Sequence, residues 1–288
     1  MALGIIWGMP YLFIRLAVQE ISPWVVAWGR ITLAALVLLP MAWHRGALRG
    51  LGAHKVAIGT FALVEFAIPF SVISTAERWI PSSIAGILLA AAPLTITVIS
   101  RLFGVHERLG PWRLLGLLLG LAGVAVLLGF GTVSGARGWL GFGLVLLATV
   151  GYATGALIIQ RHFHRIDSLG PVAASLTVAS VLLLLPAAIS FPTHMPSAVA
   201  LSSIAVLGLI CTACAMLLLF SLIRHVGAAR ASIVTYINPV VAALLGVAIL
   251  HERLGAGGVP GVALILLGSW LGNLKRSEIY DPQCQHQS

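Results

Sequence analysis

The pentapeptide HERLG occurs at residues 106–110 and again at residues 251–255, an offset of 145 residues. Each copy follows an apolar segment that contains a proline, and these two prolines, Pro93 and Pro239, lie 146 residues apart. A step that stays nearly constant along a chain is the signature of an internal duplication. The sequence therefore predicts two copies of one structural unit.

The composition indicates which solvent surrounds these units. Of the 288 residues, 59% are hydrophobic and 9% are charged, with a mean hydropathy of +1.05, whereas soluble domains carry about a quarter of their residues as charges. A bilayer core about 30 Å thick needs about 20 apolar helical residues per crossing. The predicted transmembrane helices lie near residues 2–18, 24–43, 55–76, 82–104, 111–130, 138–160, 169–191, 197–223, 229–250 and 256–274.

Five predicted spans fall in each unit, which makes residues 1–131 the first repeat and residues 132–276 the second, followed by a polar tail at 277–288. Because five is odd, the second repeat crosses the membrane in the opposite sense to the first. Inverted repeats around a midplane site are typical of secondary transporters. The sequence thus predicts an all-α integral membrane protein with ten transmembrane helices, arranged as two inverted five-helix repeats.

Lysine and arginine residues indicate the orientation. With the N-terminus inside, 12 of the 17 basic residues fall in cytoplasmic segments, 4 fall in outer segments, and Arg30 lies within a span. Basic loops are retained in the cytoplasm, so we expect a multi-pass protein of the plasma (inner) membrane with both termini and the tail in the cytoplasm. The N-terminal stretch has no basic region before its apolar run, which favours a first span over a signal peptide.

The two HERLG segments, with the proline-bearing spans before them and the glycine-rich apolar helices at 116–129 and 261–273 after them, resemble the EamA family of the drug/metabolite transporter (DMT) superfamily. The resemblance covers nearly the whole chain. It implies a carrier, often an exporter of amino acids or related metabolites, with a central cavity lined by the first, third and fourth helices of each half. Family membership implies the class of activity and not the cargo.

Glu65 and Arg30 are the acidic and the basic residue deep in the predicted spans. A charge at this depth costs about 3 kcal/mol or more unless it is paired, hydrated or neutralised. Glu65 is interpreted either as a cavity residue that binds a substrate ammonium group or carries a proton, or as half of an intramembrane charge pair with Arg30. Arg30 is interpreted either as a group that attracts a substrate carboxylate or as a structural or topological residue, and the second role is favoured because the second helix is not expected to line the cavity.

Aromatic and polar residues near helix breaks complete the predicted pathway. Trp7 and Tyr152 hold matching places in the first helices of the two repeats, where they stack on substrate or fill space, and Tyr236 and Asn238 add polar groups beside Pro239. The predicted substrate pathway comprises Trp7, Glu65, Pro93, Tyr152, Tyr236 and Asn238. The predicted hinges are Pro69, Pro93 and Pro239, since proline removes a helical hydrogen bond.

Other function classes find little support. The H-E segments lack the second histidine of a zinc protease, because Gly110 and Gly255 stand there, and no phosphate-binding loop with a G-K-[ST] ending occurs. Nucleic-acid binding is not expected, because the net charge of +9 has no interleaved aromatic patch. We expect no enzyme activity, cofactor or metal, and a secondary transporter that exports small metabolites such as amino acids by alternating access. A lipid or lipid-carrier flippase is the alternative, and proton coupling and a homodimer stay open.

Overall fold

The computed structural model describes residues 2–89, 92, 95, 99, 111–129, 135–164, 166–226, 237–252 and 256–273. This part of the chain is helical and contains no strand, as expected for an all-α protein. Its α-helices are α1 (Ala2–Gly8), α2 (Pro10–Ala17), α3 (Pro23–His44), α4 (Lys55–Phe61), α5 (Ile68–Ala76), α6 (Ser82–Leu89), α7 (Pro111–Gly129), α8 (Gly135–Ile158), α9 (Leu169–Ile189), α10 (Ala198–Ala205), α11 (Ala215–Val226), α12 (Ile237–Ala248) and α13 (Gly258–Asn273). Shorter turns are the 3₁₀ segment Leu51–His54 and the π-helical segments Ala62–Ala67, Ile159–Phe163 and Val206–Cys214.

Several helical segments are long and apolar enough to cross a membrane. Within the described residues they number five: Pro23–His44, Leu51–Ala76, Gly135–Phe163, Leu169–Ile189 and Ala198–Ile223. Shorter apolar helices occupy Ala2–Ala17, Leu114–Val126, Ile237–Ala248 and Gly258–Gly268. Each of these segments overlaps an apolar stretch that the sequence predicts as a span. The ends of the five long segments agree with the prediction to within about four residues, whereas Ile237–Ala248 begins after the predicted start at residue 229.

Large apolar side chains cover much of the outer surface of the helices. Leu36, Leu185, Ile189 and Leu244 are all more than half exposed. On a soluble protein a surface of this kind is limited to a few hundred Å², whereas lipid tails cover it without a loss of solvation. Together with the long apolar helices, this surface makes the chain a multi-pass membrane protein.

The third long segment, Leu51–Ala76, changes its winding in the middle. Between Ala62 and Ala67 the helix widens into a π-helical turn, and the Ile68 N–H donates to the Leu63 carbonyl, five residues back. Pro69 has no N–H to donate, so the carbonyl of Glu65 is released from the usual ladder. The wide turn therefore lies at Glu65, and π-helical turns of this kind are frequent at functional sites.

A second π-helical segment lies at the corresponding place in the second half of the chain. It spans Val206–Cys214, and its Cys211 stands 146 residues after Glu65, the step of the sequence repeat. No proline follows it. Instead, the hydroxyl of Thr212 donates to the Leu207 carbonyl at 2.8 Å, again five residues back. The same irregularity thus occurs at matching positions, with different local hydrogen bonding in the two halves.

Glycines bring the first helix of each sequence repeat against the other repeat. A Cβ atom at Gly8 would lie 2.9 Å from the Asn238 carbonyl oxygen, and one at Gly151 would lie 3.0 Å from the Pro69 ring. Small residues four apart permit this approach between helices. Helix α1 therefore packs on α12, and α8 packs on α5, so that the two halves interlock around a common centre.

Candidate functional site: a central cavity

A cavity of about 300 Å³ lies at this centre, and its lining residues come from α1, α2, α3, α5, α6, α8, α11, α12 and the π-helical segments Ala62–Ala67 and Val206–Cys214. Its volume is at the lower end of the roughly 300–1,000 Å³ of small-molecule sites. Its aromatic lining residues are Trp7, Tyr11, Phe66, Phe70 and Tyr152. Its main polar residues are Arg30, Glu65, Thr212 and Asn238. Apolar walls with a few polar groups are typical of ligand pockets.

Most of the residues that the sequence singles out meet here. Trp7, Glu65, Tyr152 and Asn238 all line the cavity, and so does Pro239. The proline of the third span, Pro69, is buried and packs against Gly151. The remaining two predicted residues, Pro93 and Tyr236, lie outside the described residues.

Arg30 lines the cavity from α3, although the family resemblance implies lining by the first, third and fourth helices. Its side chain is only 8% exposed. The Nε–H donates to the Thr212 hydroxyl oxygen at 2.8 Å, and the guanidinium carbon lies 3.8 Å from the centroid of the Phe70 ring. A cation over an aromatic face is attracted by the ring's electrons. Thr212 and Phe70 therefore hold the guanidinium at the cavity wall.

Glu65 points in a different direction. Its carboxylate packs against Gly155 on α8, where a Cβ atom would lie 3.2 Å from the Glu65 Cδ atom. In the described part of the chain no Arg30 nitrogen comes within 4.0 Å of a Glu65 carboxylate oxygen, so the predicted intramembrane charge pair is not formed. The reason is geometric, because Thr212 and Phe70 hold Arg30 while the π-helical turn directs Glu65 toward α8. The cavity thus contains two opposite charges that do not pair with each other.

Several lining residues were not predicted, although the repeat step identifies them. Phe66 and Thr212 lie 146 residues apart, as do Phe70 and Met216, and all of them line the cavity. Applying the step of 146 to Glu65 and its neighbours would have found them. Tyr11 carries no such signal and becomes visible only in the packed structure.

The second HERLG copy contacts the start of α6. Glu252 accepts hydrogen bonds from the backbone N–H groups of Ser82, at 2.7 Å, and Ser83, at 2.9 Å. These N–H groups belong to the first turn of the helix and have no partner within it, and a carboxylate is favourable at this positive end. Because Gly86 on the same helix lines the cavity, Glu252 binds a helix that forms part of the cavity wall. The matching residue of the first copy, Glu107, lies outside the described residues.

Comparisons with known sequences identify the family. The EamA-like transporter family matches the chain over residues 1–129 and again over residues 139–274. The chain belongs to the EamA-like transporter family. Among its relatives, the uncharacterised inner membrane transporter YedA of Escherichia coli (strain K12) is 33% identical, over 94% of this chain and 90% of YedA. The uncharacterised transporter YvbV of Bacillus subtilis (strain 168) is 26% identical, over 95% of this chain and 90% of YvbV.

A solved crystal structure shares the fold. It superposes with a TM-score of 0.67 at 21% sequence identity, and the match covers 94% of each chain. The family and the relatives confirm the predicted EamA resemblance of this membrane protein. They also make the chain a membrane transporter and point away from an enzyme.

Proposed function

We propose that this EamA-like protein is a secondary transporter that exports small zwitterionic metabolites, amino acids among them. The observation that carries the proposal is the pair of separated charges, Arg30 and Glu65, in one small cavity. A substrate carboxylate would bind the guanidinium of Arg30 and a substrate ammonium group would bind the carboxylate of Glu65. Each charge is expensive at membrane depth without a counter-charge, and a zwitterion supplies both.

The aromatic lining supports the same substrate class. Trp7 and Tyr152 face the cavity from the first helices of the two repeats, and Phe66 adds an apolar wall. These rings would contact the hydrocarbon part of the substrate, while Asn238 would add a polar contact. The volume of about 300 Å³ favours single amino acids and similar metabolites over peptides or lipids.

Alternating access is supported by the matching halves. Two π-helical segments and two sets of lining residues recur at the step of the sequence repeat. We propose that residues 1–131 and 132–276 are inverted five-helix repeats and that ten helices cross the membrane, with both termini cytoplasmic as the distribution of basic residues favours. Exchange of conformation between two similar halves would open the cavity to one side at a time. Pro69 and Pro239, with Pro93, are the proposed hinges, and export follows the family resemblance.

Counterflow in proteoliposomes tests this function. The purified full chain is reconstituted into liposomes that are preloaded with one unlabelled amino acid at a time. Uptake of the same amino acid in labelled form is then followed for wild type, Arg30→Lys and Glu65→Gln. The matched controls are Arg137→Lys and Glu20→Gln, because Arg137 is exposed and Glu20 binds Ser197 at the surface. We expect counterflow with at least one amino acid, reduced in the cavity variants and retained in the controls. Movement of labelled phospholipid without any metabolite counterflow would refute the proposal in favour of a flippase.

A further inference from the structure

A second acidic residue lies buried near one end of the cavity. Glu77 follows the last residue of α5, and its side chain is 0% exposed. Among the described residues, neither of its carboxylate oxygens has a hydrogen-bond partner, and the same holds for the hydroxyls of Ser82 and Ser83. These two serines are the ones whose backbone N–H groups bind Glu252. Buried polar atoms without partners are rare in proteins and call for an explanation.

The charges around Glu77 come from several elements. Burial, and after it the negative charge of Glu252, raise the pKa of the Glu77 carboxyl well above its usual range, while Arg15 and Arg30 act in the opposite direction. From α2, Arg15 donates to the backbone carbonyl of Glu77 and not to its carboxylate, and Tyr11 is close enough to interact electrostatically with Glu77. Helix α8 packs against this turn through Gly141, and its nearest charged residue, Arg137, is exposed.

An ionised carboxylate in this position would be dry and without a hydrogen bond, which is the costliest arrangement for such a group. A protonated carboxyl removes the charge and leaves the fold unchanged. Glu252 differs from Glu77 in its surroundings, because its carboxylate accepts hydrogen bonds from two backbone N–H groups. The two neighbouring carboxyls therefore differ in hydrogen bonding: Glu252 has two backbone donors, whereas Glu77 has no partner among the described residues.

We propose that Glu77 is a proton-binding site, held neutral in this conformation by its burial beside Glu252, and that it couples transport to a proton gradient. While Glu252 is bound to the first turn of α6, the proton stays on a Glu77 oxygen. When Glu252 separates from the first turn of α6, water reaches the carboxyl, and the proton passes between Glu77 and a water molecule with no other bond made or broken. The coupling rests on the proposed transport function, whereas the proton site itself does not.

Infrared spectroscopy of the purified full chain tests the proton site without any substrate. The carbonyl stretch of a protonated carboxyl is distinct from that of a carboxylate and shifts in D₂O. We expect a difference band at neutral pH between wild type and Glu77→Gln, and none between wild type and Glu20→Gln. Because glutamine mimics the neutral acid, the thermal unfolding temperature of Glu77→Gln should stay near that of wild type. A missing difference band in the folded variant would overturn the proposal by showing that Glu77 is ionised.

A second variant keeps Glu77 intact. Glu252→Gln removes the neighbouring negative charge, so the pKa of Glu77 should fall and the protonated band should be lost at a lower pH than in wild type. An unchanged titration of the band in this variant would contradict the assigned carboxyl pair. This measurement stays decisive even if Glu77→Gln does not fold.

Transport then tests the coupling. In proteoliposomes with an imposed pH gradient, wild type should accumulate the labelled amino acid that shows counterflow. In Glu77→Gln, the ratio of uptake to exchange should be the same with and without the pH gradient. A ratio that is unchanged in the variant, or one set by sodium instead of pH, would overturn proton coupling at Glu77. Absence of counterflow in wild type would refute the proposed function alone, because the infrared band reports on the proton site separately.

Discussion

The π-helical segments Ala62–Ala67 and Val206–Cys214 have the same kind of backbone irregularity but different side chains. In the first half of the chain the wide turn presents Glu65 and Phe66 to the cavity, and in the second half it presents Cys211 and Thr212. Duplication explains the common irregularity, whereas the side chains have diverged to one acid and one hydroxyl. The hydroxyl binds Arg30 and the acid has no cationic partner in the described part of the chain. The comparison indicates that the two halves share a backbone feature, and we propose that the difference between their side chains forms the binding site.

Removing Arg30 is expected to have the largest effect on substrate affinity, because this residue of α3 also bonds to Thr212 in the other half of the chain. For Arg30→Ala we expect the half-saturating substrate concentration to rise roughly a hundredfold, which corresponds to about 3 kcal/mol of binding free energy. Concentration-dependent counterflow measures the change. The exposed Arg137→Ala serves as the control, and an equal loss in both variants would argue against a substrate contact.

Filling a glycine contact tests the scaffold and not the charge. A Cβ at Gly155 would press on the Glu65 carboxylate and lie 3.3 Å from the Phe61 ring. Overpacking of this kind costs about 2 kcal/mol, so Gly155→Ala should lower the thermal unfolding temperature in detergent. Gly143 lies on the same helix, and a Cβ there would meet nothing within 4 Å, so Gly143→Ala should be neutral or stabilising. Equal effects at the two glycines would show that the close packing is not what fixes this helix.

Changing the matched residues Glu65 and Cys211 compares the halves directly. Glu65→Gln keeps the shape and removes the charge, and we expect about a tenfold weaker apparent affinity for a zwitterionic substrate. Cys211→Ser at the matching position adds no charge and keeps nearly the same size, so it should change the affinity by less than about twofold. Binding titrations on the purified protein measure both. A larger effect at Cys211 than at Glu65 would reverse the proposed asymmetry.

Removing the hydroxyl of Thr212 should have the smallest effect of the four. Thr212→Val deletes the acceptor of Arg30 and the donor to the Leu207 carbonyl, for an expected loss of about 1 kcal/mol in the free energy of unfolding. Thr60→Val is the control, since that hydroxyl only binds the Val56 carbonyl on an exposed helix face. Indistinguishable denaturation curves for the two variants would mean that Thr212 does not position Arg30.

Much of the scaffold could be predicted because it depends on local features of the sequence. Apolar length identified the helical segments, and the step of about 146 residues matched Trp7 with Tyr152 and Pro93 with Pro239. The same step, applied further, would have identified Phe66 and Thr212. Glu65 was found because an acid in the middle of an apolar segment is conspicuous.

The remaining part of the site depends on contacts between distant residues. Arg30 and Thr212 are 182 residues apart, and neither periodicity nor spacing relates α3 to the second π-helical segment. Glu77 follows the end of a predicted span, where an acid normally meets water, and only the packing of α2, α6 and the Glu252 loop makes it buried. Such burial is a property of the assembled fold and leaves no local pattern in the chain.

Binding of one amino acid and of two analogues tests the central claim most directly. One analogue lacks the carboxylate and the other lacks the ammonium group, and affinities are measured for wild type, Arg30→Ala and Glu65→Gln. If Arg30 binds the carboxylate and Glu65 binds the ammonium group, Arg30→Ala will not weaken the analogue without a carboxylate, and Glu65→Gln will not weaken the analogue without an ammonium group. Equal losses for all three ligands in both variants would contradict the account and leave the two charges as parts of the scaffold.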